Sequence, residues 1–298
     1  MKLLARYLLK ELLVPLGVWV AFMFLLLFVM QFLRGTDVLL GSAVTLSDLG
    51  RLVAYLAPHF LVMALPIAFL LAILLGLGRL GEDRELTSLQ ALGISPLQLL
   101  AAPLGVGLAL SAFMVLLTST VEPWGLTGVK ELVGEVIQKN VAGDVKSGVF
   151  YEDLSDLTAQ INVGLGGSLS RRNRFRSPKE ELTPVELIAA AKDAEERKED
   201  PRPFLMALHS RLGNAVAPVA FALLATPLAI GRRQAGRAWG YLLTLGGYVL
   251  YYLLSRAFEQ MGQKGQMPVL VAGQLSNVLF MVVGAVALYR VTRSGTVR

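Results

Sequence analysis

Long apolar stretches alternate with short charged segments along the whole chain. Six stretches carry no charged residue over roughly the 20 residues that cross a bilayer core of about 30 Å. They are Leu12–Leu33, Leu52–Gly78, the part of Leu86–Val121 after Pro96, Leu212–Gly231, Ala238–Ser255 and the part of Gly265–Tyr289 from Pro268 onward. The pattern predicts a mainly α, polytopic membrane protein with six transmembrane helices, three on each side of one long polar segment.

The polar segment, Glu122–Arg211, divides the chain into domains 1–121, 122–205 and 206–298. Its first part, Glu122–Val141, has the apolar spacing of a helix that extends the third span. Alternating residues in Lys146–Gly164 indicate β-strands. Thr183-Pro184-Val185-Glu186 is a capping box with proline at the first helical position, and it opens a helix over 183–198. We expect a small domain of strands and helices outside the membrane.

The charged segment between the second and third spans has helix signals of its own. Glu82, Asp83 and Glu85 suit a first turn, because carboxylates stabilise the positive end of a helix dipole. The residues that follow share an apolar stripe at helical spacing: Leu86, Leu89 and Leu92. We predict a short helix over Glu82–Leu92 that lies on the face of the membrane.

The chain turns sharply after this helix. Gly93 supplies a stop signal, and Ser95-Pro96-Leu97-Gln98 starts the next helix as a capping box. Two interpretations are open: an ordinary loop between two spans, or a bent amphipathic helix on which a soluble motor protein docks. The leucine stripe favours docking, because a solvated loop does not need apolar residues on one side.

Composition supports the membrane assignment, and charge gives an orientation. Hydrophobic residues make up 54% of the chain and the mean hydropathy is +0.58, above the usual soluble range of about 45–50% apolar residues. Lysine and arginine concentrate in cytoplasmic loops. One set of short segments carries eleven of them and the opposite set four: Lys2, Arg6, Lys10, Arg79, Arg84, Arg232, Arg233, Arg237, Arg290, Arg293 and Arg298, against Arg34, Arg51, Arg256 and Lys264. Both termini and the 82–92 helix are therefore predicted to be cytoplasmic, and the 122–205 domain to lie outside.

The sequence lacks the motifs of the common enzyme classes. It has no cysteine and two histidines, which are not spaced as metal ligands, and His59 is expected to pack among helices or line a cavity. No G-x-x-x-x-G-K-[ST] motif for ATP is present. Loop charge accounts for the net charge of +6 without nucleic acid. We expect a non-enzyme that holds no metal or cofactor, with a retained first helix rather than a cleaved signal peptide.

Two arginines mark the outer ends of the first two spans. Arg34 follows span 1 and Arg51 begins span 2. As an anchor, a cation at the boundary avoids the roughly 2.5–3.5 kcal/mol cost of the bilayer centre. As a binding group, guanidinium pairs bidentately with a lipid phosphate. Both interpretations remain open.

Several motifs together resemble a known family. They are Arg6-Tyr7-Leu8-Leu9-Lys10-Glu11, Leu65-Pro66, Leu77-Gly78-Arg79-Leu80 with Glu85-Leu86 and Ala91-Leu92-Gly93-Ile94-Ser95, Glu122-Pro123-Trp124, Leu182-Thr183-Pro184-Val185-Glu186-Leu187, and Arg211-Leu212 before Pro218 and Pro227. Over nearly its whole length the chain resembles the lipopolysaccharide-export permeases of the LptF/LptG (YjgP/YjgQ) family. Lys146-Ser147-Gly148-Val149-Phe150 is more similar to LptF than to LptG.

The resemblance implies a permease subunit in the inner membrane of a Gram-negative bacterium, with six membrane helices and a periplasmic jellyroll between helices 3 and 4. Such a subunit extracts lipopolysaccharide from the outer leaflet, driven by ATP, and passes it towards a periplasmic bridge. The implied partners are an LptG-like second permease subunit, a cytoplasmic LptB-like ATPase dimer that holds ATP and Mg, a single-span LptC-like protein and an LptA-like bridge protein.

The resemblance also implies roles for particular residues. The 82–92 helix matches the coupling helix of the family, with Glu85 at its acidic contact to the ATPase. The residues expected to couple to the ATPase are Glu82, Asp83, Arg84, Glu85, Leu86 and Leu89. Arg34 is the nearest match to family cations that contact lipopolysaccharide phosphates.

The outer domain departs from the family pattern. Lys146–Pro178 has room for about three strands of 5–6 residues, too few for a closed jellyroll, so the domain is reduced or residues of the native protein are absent. Two other functions stay open. One is a permease subunit for another lipid or lipoprotein cargo, and the other is a lipid-modifying membrane enzyme, against which the missing acid, base and metal groups argue.

Overall fold

The computed structural model describes residues 2–34, 45–144, 179–231 and 237–293, and the regular elements in these ranges are all helical. In chain order they are α1 (Lys2–Arg34), α2 (Leu46–Glu82), α3 (Glu85–Ala91), α4 (Pro96–Leu116), α5 (Glu122–Asp144), α6 (Pro184–Glu196), α7 (Arg202–Ile230), α8 (Arg237–Gln263) and α9 (Val269–Arg293). A π-helical turn, Leu117–Val121, joins α4 to α5, and a 3₁₀ turn, Lys179–Glu181, precedes α6. The prediction of a mainly α chain is confirmed, whereas the strands predicted in Lys146–Gly164 lie outside the described residues.

Five helical stretches in the described part of the chain are long and apolar enough to cross a membrane: Leu3–Met30, Leu46–Glu82, Pro96–Val136, Arg202–Ile230 and Val269–Arg293. The remaining predicted span, Ala238–Ser255, falls within α8, which has 27 residues. Four tyrosines and three glycines between positions 238 and 255 lower its hydropathy. Its passage through the membrane stays a prediction, as does the total of six spans.

The centre of the bundle is formed by α2 and α7. α2 packs against α1, α4, α5, α7 and α8, and α7 packs against α2, α4, α6, α8 and α9. In the most apolar 18-residue window of each helix, 78% of α2 and 67% of α7 is buried, against 11% of α1. Phe69 of α2 and Phe221 of α7 are fully buried in the same cluster. The outer helices expose apolar side chains, as expected for helices that face lipid.

Glycines let α9 approach α7 closely. A Cβ atom at Gly284 of α9 would lie 2.6 Å from the backbone oxygen of Leu223, and one at Gly213 of α7 would collide with the carbonyl of Gly273. These contacts follow the two helices in the same direction, so α7 and α9 run parallel. Small residues at helix crossings permit this approach in membranes, where apolar side chains gain little by leaving lipid for one another.

One buried amide connects three helices. Asn277 of α9 accepts a hydrogen bond from the Tyr251 hydroxyl of α8 at 3.0 Å and donates one to the Gly213 carbonyl of α7 at 2.8 Å. Both side chains are buried. Because an unsatisfied polar group in lipid is expensive, this set of hydrogen bonds favours one register of α7, α8 and α9.

A second apolar cluster joins α2 to α5. Leu56 and Phe60 of α2 pack with Leu132 of α5. The two helices come so close that a Cβ atom at Gly125 would collide with the carbonyl of Tyr55. The helix predicted over Glu122–Val141 is present as α5, and it continues α4 through the π-helical turn.

The segment that precedes α7 is held against it. Thr183 caps α6 as predicted, because its amide donates to the Glu186 carboxylate at 2.9 Å and its hydroxyl accepts from the Glu186 amide. Leu187 and three alanines of α6 are buried. The Arg211 guanidinium of α7 donates to the Leu182 carbonyl at 2.6 Å. The part of the predicted 122–205 domain that is described on this side is thus fixed to the bundle.

We predict that Gly284→Ala destabilises the protein, because the new methyl group meets backbone atoms at 2.6 Å that cannot move aside. Overpacking of this kind costs about 1–3 kcal/mol. Gly105→Ala is the matched control, since a Cβ atom there meets nothing within 4 Å and alanine is the better helix former. Thermal unfolding in detergent should show a lower Tm for Gly284→Ala alone. Equal Tm values would contradict the described α7 and α9 contact.

Candidate functional site

A turn separates α3 from the end of α2. The amide of Asp83 donates to the Arg79 carbonyl at 2.9 Å and closes α2. Arg84 adopts a left-handed conformation with φ of 58°, and α3 begins at Glu85. The predicted start at Glu82 is therefore wrong, because Glu82 ends α2 and the two residues after it form the turn. A left-handed conformation costs a non-glycine residue about 1–2 kcal/mol, so the sequence gives no sign of it at an arginine.

The other end of α3 is closed by backbone hydrogen bonds. The Ile94 amide donates to the Leu89 carbonyl at 3.1 Å and the Gly93 amide to the Gln90 carbonyl at 3.0 Å, which is the Schellman pattern. Gly93 has φ of +87°, a value that glycine adopts without strain. The Ser95 capping box then opens α4. The predicted stop and restart are confirmed.

The leucines of α3 do not share one face. Leu86 is 4% exposed and Leu89 packs on the same core cluster, but Leu92 is 80% exposed. In a helix of 3.6 residues per turn, Leu92 is rotated by about 120° from Leu86, because two steps of three residues do not complete whole turns. Leu92 is also the C-cap of α3. The predicted stripe is therefore wrong for Leu92, which points away from the core that Leu86 enters.

Polar contacts join α1, α2 and α3 at this end of the bundle. The Tyr7 hydroxyl of α1 donates a hydrogen bond to Oε2 of Glu85 in α3. Glu11 of α1 pairs with Arg79 of α2 at 3.2 Å, and Arg79 also lies 3.8 Å from Asp83. The first turns of α1, the end of α2 and α3 thus form one connected unit.

The outward side of this unit carries charges at the start of α3 and one exposed leucine at its end. We call it the α3 surface and define it by Glu82, Asp83, Arg84, Glu85 and Leu92. Glu85 is half-buried and the others are exposed. Exposed apolar and charged side chains occur together at protein interfaces, so the α3 surface suits a soluble partner.

The predicted outer arginines are in different situations. Arg34 is the last residue of α1, and its side chain lies outside the described part. Arg51 of α2 pairs with Glu135 of α5 at 3.7 Å, and both side chains are more than half exposed. A phosphate would therefore compete with Glu135 for the Arg51 guanidinium.

A partly buried polar pair lies between α2 and the beginning of α5. Nδ1 of His59 is 2.9 Å from Oε1 of Glu122, whose side chain is only 10% exposed. His59 thus packs among helices, as predicted, but the sequence did not indicate its partner. In the described ranges no three His, Asp or Glu side chains are grouped as metal ligands.

The sequence pattern did not indicate Tyr7, Glu11 and Arg79 as parts of the site. One signal was available for two of them. If spans 1 and 2 run antiparallel, a carboxylate before span 1 and a guanidinium after span 2 fall at the same end. No comparable signal pointed to Tyr7, because its partner Glu85 is 78 positions away and any exposed acceptor could have served.

Comparison with known proteins identifies the family. A family model described as lipopolysaccharide export system permease LptF/LptG matches residues 6–167 and 160–290, which include both halves of the helical bundle and α3. The model represents LptF and LptG together. No curated protein matches the chain. The family and the apolar helices make the chain an integral protein of the inner membrane. The chain therefore belongs to the LptF/LptG family of lipopolysaccharide export system permeases, which are transport subunits rather than enzymes.

Proposed function

We propose that this chain is a permease subunit that extracts lipopolysaccharide from the outer leaflet of the inner membrane, driven by ATP, and passes it towards a periplasmic bridge. Family membership supports the class of cargo. The α3 surface is the observation that supports the ATP-driven part of this function. It belongs to a short capped helix that is fixed to the bundle, and it exposes charged residues and one leucine.

ATP is hydrolysed by a separate partner in this proposal. The chain has no phosphate-binding loop of the G-x-x-x-x-G-K-[ST] type, so ATP and Mg bind to a cytoplasmic ATPase dimer. The α3 surface meets that dimer, with Glu85 facing a cationic group. Leu86 and Leu89 lie on the opposite side of α3 and pack it on the core. Through this packing, a movement of α3 is transmitted to α2.

The orientation rests on the distribution of lysine and arginine. The end of the bundle that carries α3 has the excess of these residues in its short segments, which supports a cytoplasmic position for this end and for both termini. The opposite end, with Arg34, Arg51 and the connection between α5 and α6, then faces the periplasm.

A second, homologous permease subunit completes the lipid cavity in this proposal. Only 11% of the most apolar window of α1 is buried within this chain, so most of its length is available for a second subunit or for lipid. Arg34 and Arg51 would meet lipid phosphates near the outer leaflet. A single-span LptC-like protein and an LptA-like bridge receive the lipid beyond it.

We predict that Glu85→Lys releases the ATPase from the complex. Reversing one partner of a close charge pair at an interface costs about 2–5 kcal/mol, which is at least a tenfold loss of affinity. The measurement is co-purification of the chain with the products of its neighbouring genes, with mass spectrometry of the proteins retained.

The matched control is Glu196→Lys, which makes the same charge change at an exposed residue at the end of α6. It should keep the ATPase bound. Retention of both the ATPase and lipid export by the Glu85→Lys variant would contradict the coupling proposal. Bound lipid identified in the same sample tests the cargo, since lipoprotein or ordinary phospholipid in place of lipopolysaccharide would exclude the export function.

We predict that Arg34→Glu reduces photo-crosslinking of lipopolysaccharide to the chain several-fold, because a carboxylate repels the phosphates that a guanidinium binds. Lys264→Glu, at an exposed lysine in the turn between α8 and α9, is the control on the same predicted side and should leave crosslinking unchanged. Equal crosslinking in wild type and Arg34→Glu would remove Arg34 from the lipid site.

A further inference from the structure

The Tyr7 hydroxyl and the Glu85 carboxylate belong to helices far apart in sequence. Tyr7 lies in the second turn of α1 and Glu85 opens α3, yet the hydroxyl donates directly to Oε2. Among the described residues, Tyr7 is the hydrogen-bond partner that the structure gives to this carboxylate. Neither the helix signals of α3 nor the leucines that seat it require this contact.

The position of Tyr7 is set by the packing of α1. Leu8 and Leu12, on the neighbouring positions of α1, are 1% and 0% exposed. α1 lies so close to α2 that a Cβ atom at Gly76 would be 2.6 Å from the Glu11 carbonyl oxygen. Because α1 cannot slide or turn there without losing these contacts, the backbone of Tyr7 is held in place, and its exposed side chain reaches Glu85 from there.

A donor that is carried by a packed helix restricts the Glu85 side chain. A glutamate has three rotatable bonds, and fixing them when a partner binds costs conformational entropy. A carboxylate has two oxygens with about four acceptor positions. With Oε2 occupied by Tyr7, the carboxylate is already oriented and Oε1 is left to accept from a cation of a partner.

We propose that Tyr7 is a positioning residue for ATPase docking: its hydroxyl holds the Glu85 carboxylate so that Oε1 meets an arginine or lysine of the ATPase. This inference rests on the proposed function. It also makes α1 part of the coupling site, because the contact ties α1 to the helix that the ATPase moves. The Glu11 and Arg79 ion pair, at 3.2 Å, joins α1 to the end of α2 that precedes α3.

The test is Tyr7→Phe, which keeps the aromatic ring at this exposed position and removes only the hydroxyl. Affinity of the co-purifying ATPase is measured with the permease complex in lipid nanodiscs. We expect the Kd to rise about five- to tenfold, which is the effect of losing one typical hydrogen bond, because this contact is exposed to solvent. Tyr241→Phe is the matched control, at a half-exposed tyrosine of α8 whose ring contacts Trp19, and it should leave the Kd unchanged.

A cycle with Glu85→Gln separates positioning from general stabilisation. Glutamine removes the charge that the ATPase meets, so adding Tyr7→Phe to it should change the Kd by less than about twofold, the sign of two residues acting through one contact. The Tm of the permease complex without ATPase should be the same for Tyr7→Phe and wild type. Additive losses, or a lower Tm that accounts for the weaker binding, would overturn the positioning role.

The outcomes distinguish this inference from the proposed function. If Glu85→Gln weakens ATPase binding and Tyr7→Phe does not, the positioning role is wrong and the docking of the ATPase at α3 stands. If the wild-type complex retains no ATPase, the proposed function fails and the inference fails with it.

Discussion

The packing of α2 against α1, α4, α5, α7 and α8, together with its contact to α3, is the interaction on which the rest of the structure depends. α2 has 37 residues, a length of about 55 Å at 1.5 Å per residue. One end leads directly into α3, and the other end forms the apolar cluster with α5. Because its middle is buried between α1, α4, α7 and α8, α2 cannot tilt independently of the bundle. It therefore places the two ends of the molecule in one rigid frame.

The features that sequence analysis predicted are local ones. The capping boxes at Ser95 and Thr183 and the stop at Gly93 depend on residues within four positions of one another, so their chemistry can be read directly from the chain. The long helices can be predicted because a charge-free run that crosses lipid must satisfy its backbone hydrogen bonds within itself, and an α-helix does so. These signals require no knowledge of which helices are neighbours.

The features it missed depend on the arrangement of helices in space. Tyr7 meets Glu85, and Gly213 meets Gly273, only because distant helices are packed in a particular register. The start of α3 was missed for another reason: Arg84 takes a left-handed conformation that its residue type does not favour. In lipid the register is set by glycine contacts and by pairs such as Asn277 with Tyr251, since apolar burial alone does not choose between helix faces.

The continuity of α4 and α5 has a mechanical consequence. The apolar helical stretch Pro96–Val136 has 41 residues, about 60 Å at 1.5 Å per residue, or twice the roughly 30 Å hydrocarbon core. About half of this rod must stand outside the core. The extra residue of a π-helical turn changes the rotational phase, so α4 presents one face to α7 while α5 presents another to α2. Because α4 and α5 are continuous and α5 packs on α2, a tilt of α4 would have to carry α5 and the outer end of α2 with it.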